Sequence, residues 1–263
     1  MTPHTRHIKA ISKLFRSCAY RHDLHSLFSD CMETIAITIS NSVDQGHRDL
    51  REKRYLEIVG HYERNVVELF PRIFGEIVEA FETGPEDVLG AVYGELELIS
   101  RDKGQFFTSY SVCCMMAEVA VSSRDHVAEL IDRNGFVTAM EPACGAGAMV
   151  IALADVMHAH GINYQRHLHV TAVDVDPRAV HMAYIQFTLM HIPAIVSIGN
   201  SLSQEMREHW YTPAHILDDW SGKIARREAE IAALALIAPC PKNTGGSEPA
   251  ITVGDQPPQL SLF

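Results

Sequence analysis

Hydrophobic side chains recur every three or four residues along roughly the first hundred residues, which predicts a helical N-terminal region. The apolar positions of the first segment are Ile8, Ile11, Leu14, Phe15 and Cys18. Further helices are predicted over 24–39, 48–64, 66–81 and 87–98. We assign residues 1–100 to this region. It either caps the edge of a following sheet or faces a partner, and the pattern favours the cap because helical periodicity reports burial and not binding.

After residue 135 the pattern changes to short apolar segments that alternate with helices, which is typical of an α/β fold with a parallel sheet. Strands are predicted at 136–140, 169–173 and 195–198. Helices are predicted at 112–121, 149–160, 178–190 and 221–236. No hydrophobic strand is predicted between Gln204 and Trp220, so we expect an incomplete sheet. Residues 101–237 form the predicted α/β domain.

Composition narrows the class of protein. A hydrophobic content of 47% is ample for a globular core. The formal charge of −11 argues against a protein that binds DNA by electrostatic attraction alone. No segment approaches the roughly 20 apolar residues that span a membrane, and the first residues lack a signal-peptide core. The six cysteines form no CxxC pair, which is typical of reduced thiols, and we expect a cytoplasmic protein. The histidines lack partners at metal spacing, so no metal site is expected.

A glycine-containing turn follows the first predicted strand and leads directly into a helix. Its sequence is Glu141-Pro-Ala-Cys-Gly-Ala-Gly147. Glycine permits positive φ angles and a close approach of the backbone to a ligand. The first N–H groups of a helix have no partner within the helix and point toward the same place. The turn therefore indicates a binding site of the nucleotide type.

Three further elements accompany this turn in a fixed order. Gly104-Gln-Phe-Phe-Thr108 precedes it, and Asp174-Val-Asp-Pro177 and Gly199-Asn-Ser-Leu202 follow it. Together the four elements resemble the catalytic domain of adenine-N6 DNA methyltransferases, of the type found in type I restriction–modification subunits, over roughly residues 104–202. The resemblance implies a Rossmann-like methyltransferase core that binds S-adenosylmethionine and acts on DNA.

The resemblance also implies roles for individual residues. Thr108 would touch the methionine moiety, Glu141 would accept from its ammonium group, and Asp174 would hold the ribose hydroxyls. Val175 would lie against adenine, and the Asn200 carbonyl would accept from the adenine amine. The complete set of residues assigned to the cofactor is Gln105, Phe107, Thr108, Glu141, Pro142, Ala143, Cys144, Gly145, Gly147, Asp174, Val175, Asn200 and Leu202.

Purely structural roles are the alternative for some of these positions. The segment around Thr108 could supply core aromatics and a helix N-cap, and Asp174 could be an exposed acid at a strand end. The chain also departs from the family pattern. Ser109 stands where the family has proline, Glu141 where it has Asp or Asn, and Asn200 where it has Asp.

The family's catalytic tetrapeptide, Asn/Asp-Pro-Pro-Tyr/Phe, is absent from the sequence. Its carbonyl groups accept from the amine of the flipped adenine, and its aromatic ring stacks on that base. The sole Pro-Pro pair, Pro257-Pro258, lacks the aromatic residue. The sequence thus predicts a methyltransferase-like domain that has the cofactor-binding elements but lacks the motif that binds the target adenine. No residue can be assigned to catalysis.

Residues 238–263 are predicted to be a flexible tail, since 238–253 is rich in Pro, Gly, Asn and Ser. The sequence ends in Gln259-Leu-Ser-Leu-Phe263. This pentapeptide is similar to the motif by which bacterial replication and repair proteins dock on the sliding clamp. Leu260, Ser261, Leu262 and Phe263 would then be partner-binding residues together with Gln259. The alternative is a chance apolar terminus.

Three functions remain open on the sequence. The first is an adenine-specific DNA methyltransferase-family protein that binds S-adenosylmethionine and is impaired in catalysis. The second is a non-catalytic module that acts through a partner in replication, restriction or anti-restriction. The third is a methyltransferase for RNA or a small molecule that uses the same turn.

Overall fold

The computed structural model describes residues 2–98, 108–121, 124–237 and 259–261, with thirteen helices and five strands. The N-terminal region is helical, as predicted, and its described residues form six helices where the sequence predicted five. They are α1 (Pro3–Arg16), α2 (Leu24–Asn41), α3 (Arg48–Val59), α4 (Arg64–Val67), α5 (Leu69–Glu82) and α6 (Val88–Glu95).

Side-chain caps explain where several of these helices begin. The Thr2 hydroxyl accepts from the Thr5 N–H at 3.2 Å, and Pro3 occupies the first turn of α1. The Asp23 carboxylate accepts from the Ser26 N–H at 2.8 Å at the start of α2. The Asp87 carboxylate accepts from the Gly90 N–H at 2.9 Å at the start of α6. Each cap satisfies a donor that the helix leaves free.

The remaining elements build a mixed α/β unit. The helices are α7 (Tyr110–Val121), α8 (Arg124–Asn134), α9 (Ala148–Ala159), α10 (Tyr164–His167), α11 (Pro177–Leu189), α12 (Pro213–Leu217) and α13 (Trp220–Ile237). The strands are β1 (Val137–Glu141), β2 (Leu168–Asp174), β3 (Ala194–Asn200), β4 (Glu205–Tyr211) and β5 (Gln259–Ser261). The sheet order is β4-β3-β2-β1-β5. The three predicted strands are confirmed as β1, β2 and β3, and they are parallel.

The structure contains a strand that the hydrophobic pattern missed. β4 pairs antiparallel with β3, and five of its seven residues, Glu205 to His209, are exposed. Trp210 is its one buried residue. An edge strand covered by charged side chains carries little apolar signal, and such charges protect an open edge from pairing with other chains. The segment between Gln204 and Trp220 thus has no hydrophobic strand, as expected, but it contains a polar strand that the sequence analysis missed.

β5 is the other departure from the predicted sheet. Gln259 to Ser261 pair in parallel with Thr138 to Met140 at the free edge of β1. The backbone of these three residues is extended, whereas 238–258 and the last two residues, Leu262 and Phe263, lie outside the described residues. The predicted flexibility of the tail stays a prediction.

The helical region packs directly on the α/β unit. α2 and α6 both contact α11, and one continuous cluster of buried side chains runs from α1 through the sheet. Arg51 of α3 donates from Nη2 to the His209 carbonyl of β4 at 2.9 Å, and its guanidinium lies 4.1 Å from the centre of the Trp210 ring. These contacts support the interpretation of the helical region as a cap on the fold. No described helix is long and apolar enough to cross a membrane.

Candidate cofactor site

Three predicted site residues end three neighbouring parallel strands. Glu141 is the last residue of β1, Asp174 of β2 and Asn200 of β3. Parallel strands present their carboxyl ends at one edge of the sheet, where ligands of open α/β sheets bind. The register brings Glu141 opposite Ala172 and Asp174 opposite Ile198. The structure thus gathers these side chains around the glycine turn.

Hydrogen bonds fix the backbone of the glycine turn. The Cys144 N–H donates to the Val173 carbonyl at 2.9 Å, and the Gly147 N–H donates to the Cys144 carbonyl at 2.8 Å. Gly145 and Gly147 have φ angles of 52° and 99°, which side-chain-bearing residues rarely adopt. Gly147 is the N-cap of α9, so the free N–H groups of that helix open beside the turn.

The Asp174 carboxylate is held by the backbone on both oxygens. Oδ2 accepts from the Gly145 N–H at 2.8 Å, and Oδ1 accepts from the Asp176 N–H at 2.9 Å. Burial raises the pKa of this carboxyl, although the N–H groups of Asp176 and Gly145, and that of Val175 to a smaller extent, lower it. Each oxygen keeps one lone pair for a further donor. Asp174 is therefore an ordered acceptor joined to the glycine turn rather than a free acid at a strand end.

Glu141 carries a buried oxygen without a partner. The side chain is 2% exposed, and Oε1 accepts from the Ala143 N–H at 3.1 Å. Oε2 has no hydrogen-bond partner among the described residues. Burial raises the pKa of this carboxyl to about 7. A buried acceptor left unpaired costs free energy, so the site suits a ligand that brings a cationic donor, such as the ammonium group of S-adenosylmethionine.

Asn200 lies at this edge but uses its amide oxygen within its own loop. Oδ1 accepts from the Leu202 N–H at 2.9 Å and from the Ser203 N–H at 3.4 Å. Both lone pairs of the oxygen are then engaged, and the amide NH2 is the group left for a ligand. The expected role as an acceptor for the adenine amine does not match this orientation. An NH2 group would instead donate to a ring nitrogen of adenine.

The surroundings of the turn are partly apolar and open. Val175 is 59% exposed and Leu202 is 95% exposed. The Ser201 hydroxyl donates to the Pro142 carbonyl at 2.9 Å, which ties the loop after β3 to the glycine turn. Arg207 of β4 donates to the Val175 carbonyl at 3.2 Å. Arg207 was not among the predicted residues because the strand that carries it was missed.

The upstream element is described only at its end. Gln105 and Phe107 lie outside the described residues. Thr108 is exposed just before α7, and its carbonyl oxygen lies 4.0 Å from the Cys113 sulfur. α7 packs along α9, the helix that begins at the glycine turn. The contact of Thr108 with a cofactor stays a prediction.

Gln186, a fully buried residue of α11, was also missed by the sequence predictions. Its Nε2 donates to the Ala146 carbonyl of the glycine turn at 2.7 Å and to the Asp87 carboxylate at 2.9 Å. Its Oε1 accepts from the Leu89 N–H at 3.0 Å. No signal in the sequence marks this glutamine, because it lies within an apolar helix, far along the chain from its three partners.

One group of side chains in the described part of the chain has metal-ligand character. His7, Glu76 and Glu79 bring their ligand atoms within 4.8 Å of one another between α1 and α5. His7 Nδ1 lies 2.9 Å from Glu76 Oε2, and the Glu79 side chain is 61% exposed. A hydrogen bond between His7 and Glu76 of the two helices accounts for this geometry, so we assign no metal to it.

One known protein family matches the part of the chain that contains this site. No curated protein sequence matches the chain. The family described as N-6 DNA methylase matches residues 85–218, a range that contains the glycine turn and all three strand ends. Members of this family typically use S-adenosylmethionine as methyl donor. The match covers just over half of the chain, which therefore belongs to the N-6 DNA methylase family.

Proposed function

We propose that this chain binds S-adenosylmethionine at the carboxyl ends of β1, β2 and β3. The observation that carries the proposal is the buried, unpaired Oε2 of Glu141 beside the glycine turn. The bound cofactor supplies an electrophilic methyl group. Glu141 accepts from its ammonium group, and Asp174 accepts from its ribose hydroxyls. Val175 and Leu202 offer exposed apolar surface for the adenine ring.

We further propose that the chain, on its own, does not methylate adenine. The sequence contains no Asn/Asp-Pro-Pro-Tyr/Phe tetrapeptide to accept hydrogen bonds from the target amine. Pro257-Pro258 is a poor substitute. No aromatic residue directly follows the pair, since Gln259 comes next in the sequence. DNA remains the natural target of this family. Transfer to DNA would then need a second chain, or the protein would act without catalysis through a partner.

Calorimetry with S-adenosylmethionine tests the pocket. The wild-type chain is expected to bind one cofactor. Asp174→Ala and the milder Asp174→Asn should abolish or greatly weaken the heat, because each removes an acceptor from the site. Asp218→Ala is a matched control, since Asp218 is a half-exposed aspartate outside the site. A wild-type protein that gives no binding heat would overturn the proposed pocket.

A tritiated methyl-transfer assay on unmethylated duplex DNA tests the second proposal. No incorporation is expected from the purified chain. Methylation of adenine by this chain alone would refute the proposal. Incorporation into RNA or a small molecule, with none into DNA, would instead support a methyltransferase with another substrate.

The C-terminal pentapeptide carries a separate proposal, docking on a bacterial sliding clamp. All five positions from Gln259 to Phe263 fit the motif. Gln259 to Ser261 pair with β1 in this chain, so docking requires these residues to leave the edge of the sheet. Phe263→Ala removes the terminal anchor and leaves the three residues of β5 intact. Clamp pull-down by the wild type and its loss in Phe263→Ala and on deletion of the last five residues are expected. Unchanged pull-down, or none by the wild type, would reject clamp docking.

A further inference from the structure

A buried hydrogen-bond network joins the helical N-terminal region to the glycine turn. Gln186 lies at its centre and is 0% exposed. It contacts the first turn of α6 through Asp87 and Leu89, at 2.9 Å and 3.0 Å, and the glycine turn through Ala146, at 2.7 Å. One side chain of α11 thus connects two segments that are more than fifty residues apart along the chain.

The Ala146 carbonyl depends on this glutamine. Ala146 is 1% exposed, so water does not serve its carbonyl oxygen, and Gln186 is its hydrogen-bond donor. The peptide that carries this carbonyl also carries the Gly147 N–H, which donates to Cys144 on the opposite side. Because a peptide group is planar, anchoring the oxygen fixes the plane of the whole group. Gln186 therefore orients the peptide between the two glycine-dependent bends of the turn.

Asp87 in turn fixes Gln186. Its Oδ1 accepts from both Gln186 Nε2 and the Gly90 N–H, each at 2.9 Å, and the residue is 7% exposed. The Leu89 N–H, which donates to Gln186 Oε1, determines which end of the amide points to Ala146. The orientation of the amide follows from this set of partners, since only the NH2 end can donate to a carbonyl and a carboxylate.

We infer that Gln186, oriented by Asp87 and Leu89, is a positioning residue for the glycine turn. The N-terminal helical region, which supplies Asp87 and Leu89, then contributes to the geometry of the cofactor site. This inference rests on the proposed binding of S-adenosylmethionine at that turn. Gln186 does not touch the cofactor. It acts through Ala146, and its loss leaves a buried carbonyl without a donor in the segment that must approach the ligand most closely.

Two variants separate positioning from ordinary packing. Gln186→Leu keeps a similar side-chain volume but removes the three hydrogen bonds that Gln186 makes. The double variant, which combines Asp87→Asn with Gln186→Glu, rebuilds one part of it. While the new glutamate is ionised, the new asparagine amide can donate to one of its oxygens and the Leu89 N–H can donate to the other, whereas the Ala146 carbonyl faces an acceptor. The Gly90 N–H loses the Asp87 oxygen to which it donates in the wild type, so the rebuilding is partial. The double variant should regain thermal stability relative to the Gln186→Glu single variant and should not regain cofactor affinity.

The expected result is a rise in the dissociation constant for S-adenosylmethionine of about tenfold or more in Gln186→Leu and in the double variant, the loss that one buried hydrogen bond implies. Gln165→Leu is the matched control, because Gln165 also donates to a backbone carbonyl, that of Met190, with a donor–acceptor distance of 3.4 Å. This hydrogen bond lies away from the glycine turn. The control variant should bind the cofactor as the wild type does. Wild-type affinity in Gln186→Leu would overturn the inference.

Hydrogen exchange of the cofactor-free protein provides a readout that does not require binding. Amides of residues 143–149 should exchange about tenfold faster in Gln186→Leu and in the double variant, and at the wild-type rate in Gln165→Leu. Unchanged exchange at the turn would refute the positioning role. A wild-type protein that fails to bind the cofactor, with exchange altered as expected, would refute the proposed function and leave the positioning of the turn supported.

Discussion

A Cβ atom placed on Gly147 would lie 2.5 Å from Cε1 of Phe187, closer than real Cβ atoms approach a carbon. Gly147 also has a φ angle of 99°, and it begins α9, while Phe187 is fully buried in α11. The contact shows that the second glycine of the turn is needed for packing as well as for backbone conformation. α9 and α11 meet at this residue without room for a side chain.

Gly147→Ala should therefore destabilise the fold by about 2–4 kcal/mol, the sum of a strained φ angle and an overpacked contact. Urea denaturation followed by circular dichroism measures this loss. Gly135→Ala is the matched control, because Gly135 has a similar φ of 83° but nothing within 4 Å of its Cβ position. It should lose about 1–2 kcal/mol, from strain alone. Equal losses in the two variants would show that the Phe187 contact relaxes at no cost.

Buried Glu141 should make stability depend on pH. The folded-state pKa of about 7 lies above the ordinary value of 4.5, so the folded protein retains a proton that the unfolded chain releases between these values. Stability is therefore greatest below pH 4.5 with respect to this group and falls as pH rises toward 7. The loss is on the order of 3 kcal/mol at most.

The contribution of Glu141 is isolated by comparing the wild type with Glu141→Gln. Asp174, whose pKa is also raised by burial, contributes in the same direction and is present in both proteins. The difference in unfolding free energy between the two proteins should change by about 2–3 kcal/mol between roughly pH 4.5 and 7.5, with the wild type losing more. A pH-independent difference would mean that Glu141 ionises normally in the folded protein.

Arg51 should be the most costly arginine to remove from the described helical region. It is 4% exposed, pairs with Asp44 at 2.8 Å, bonds to Ser40 and the His209 carbonyl, and stacks on Trp210. Arg51→Ala should destabilise the fold by about 3–5 kcal/mol, because it leaves buried acceptors unpaired. Arg54→Ala should lose less than about 1 kcal/mol, since the Arg54 side chain is 46% exposed in its pair with Glu33. Similar losses in urea denaturation would argue against Arg51 as the tie between α3 and β4.

The sequence predicted those parts of the molecule whose signal is local. The apolar runs of β1, β2 and β3, the helix periodicities and the acid-and-glycine spacing of the turn all lie within short windows, and each is present in the structure. β4 was not predicted, because it is an edge strand of the sheet and Trp210 is its one buried residue. Its sequence therefore resembles that of a charged loop. Gln186 was not predicted for a different reason. Its role arises from contacts with Asp87 and Ala146, which only the tertiary fold brings together.

Glu141 should also couple cofactor binding to protonation. If its unpaired Oε2 accepts from the ammonium group of S-adenosylmethionine, the bound state favours the carboxylate and lowers the raised pKa of about 7. Affinity should then rise with pH up to about 7 and level off above it, by up to roughly tenfold per pH unit. Calorimetry at about pH 6 in buffers of different ionisation enthalpy should detect a released proton. Glu141→Gln should bind more weakly, with flat pH dependence and no proton release, and proton release that persists in this variant would place the titrating group elsewhere.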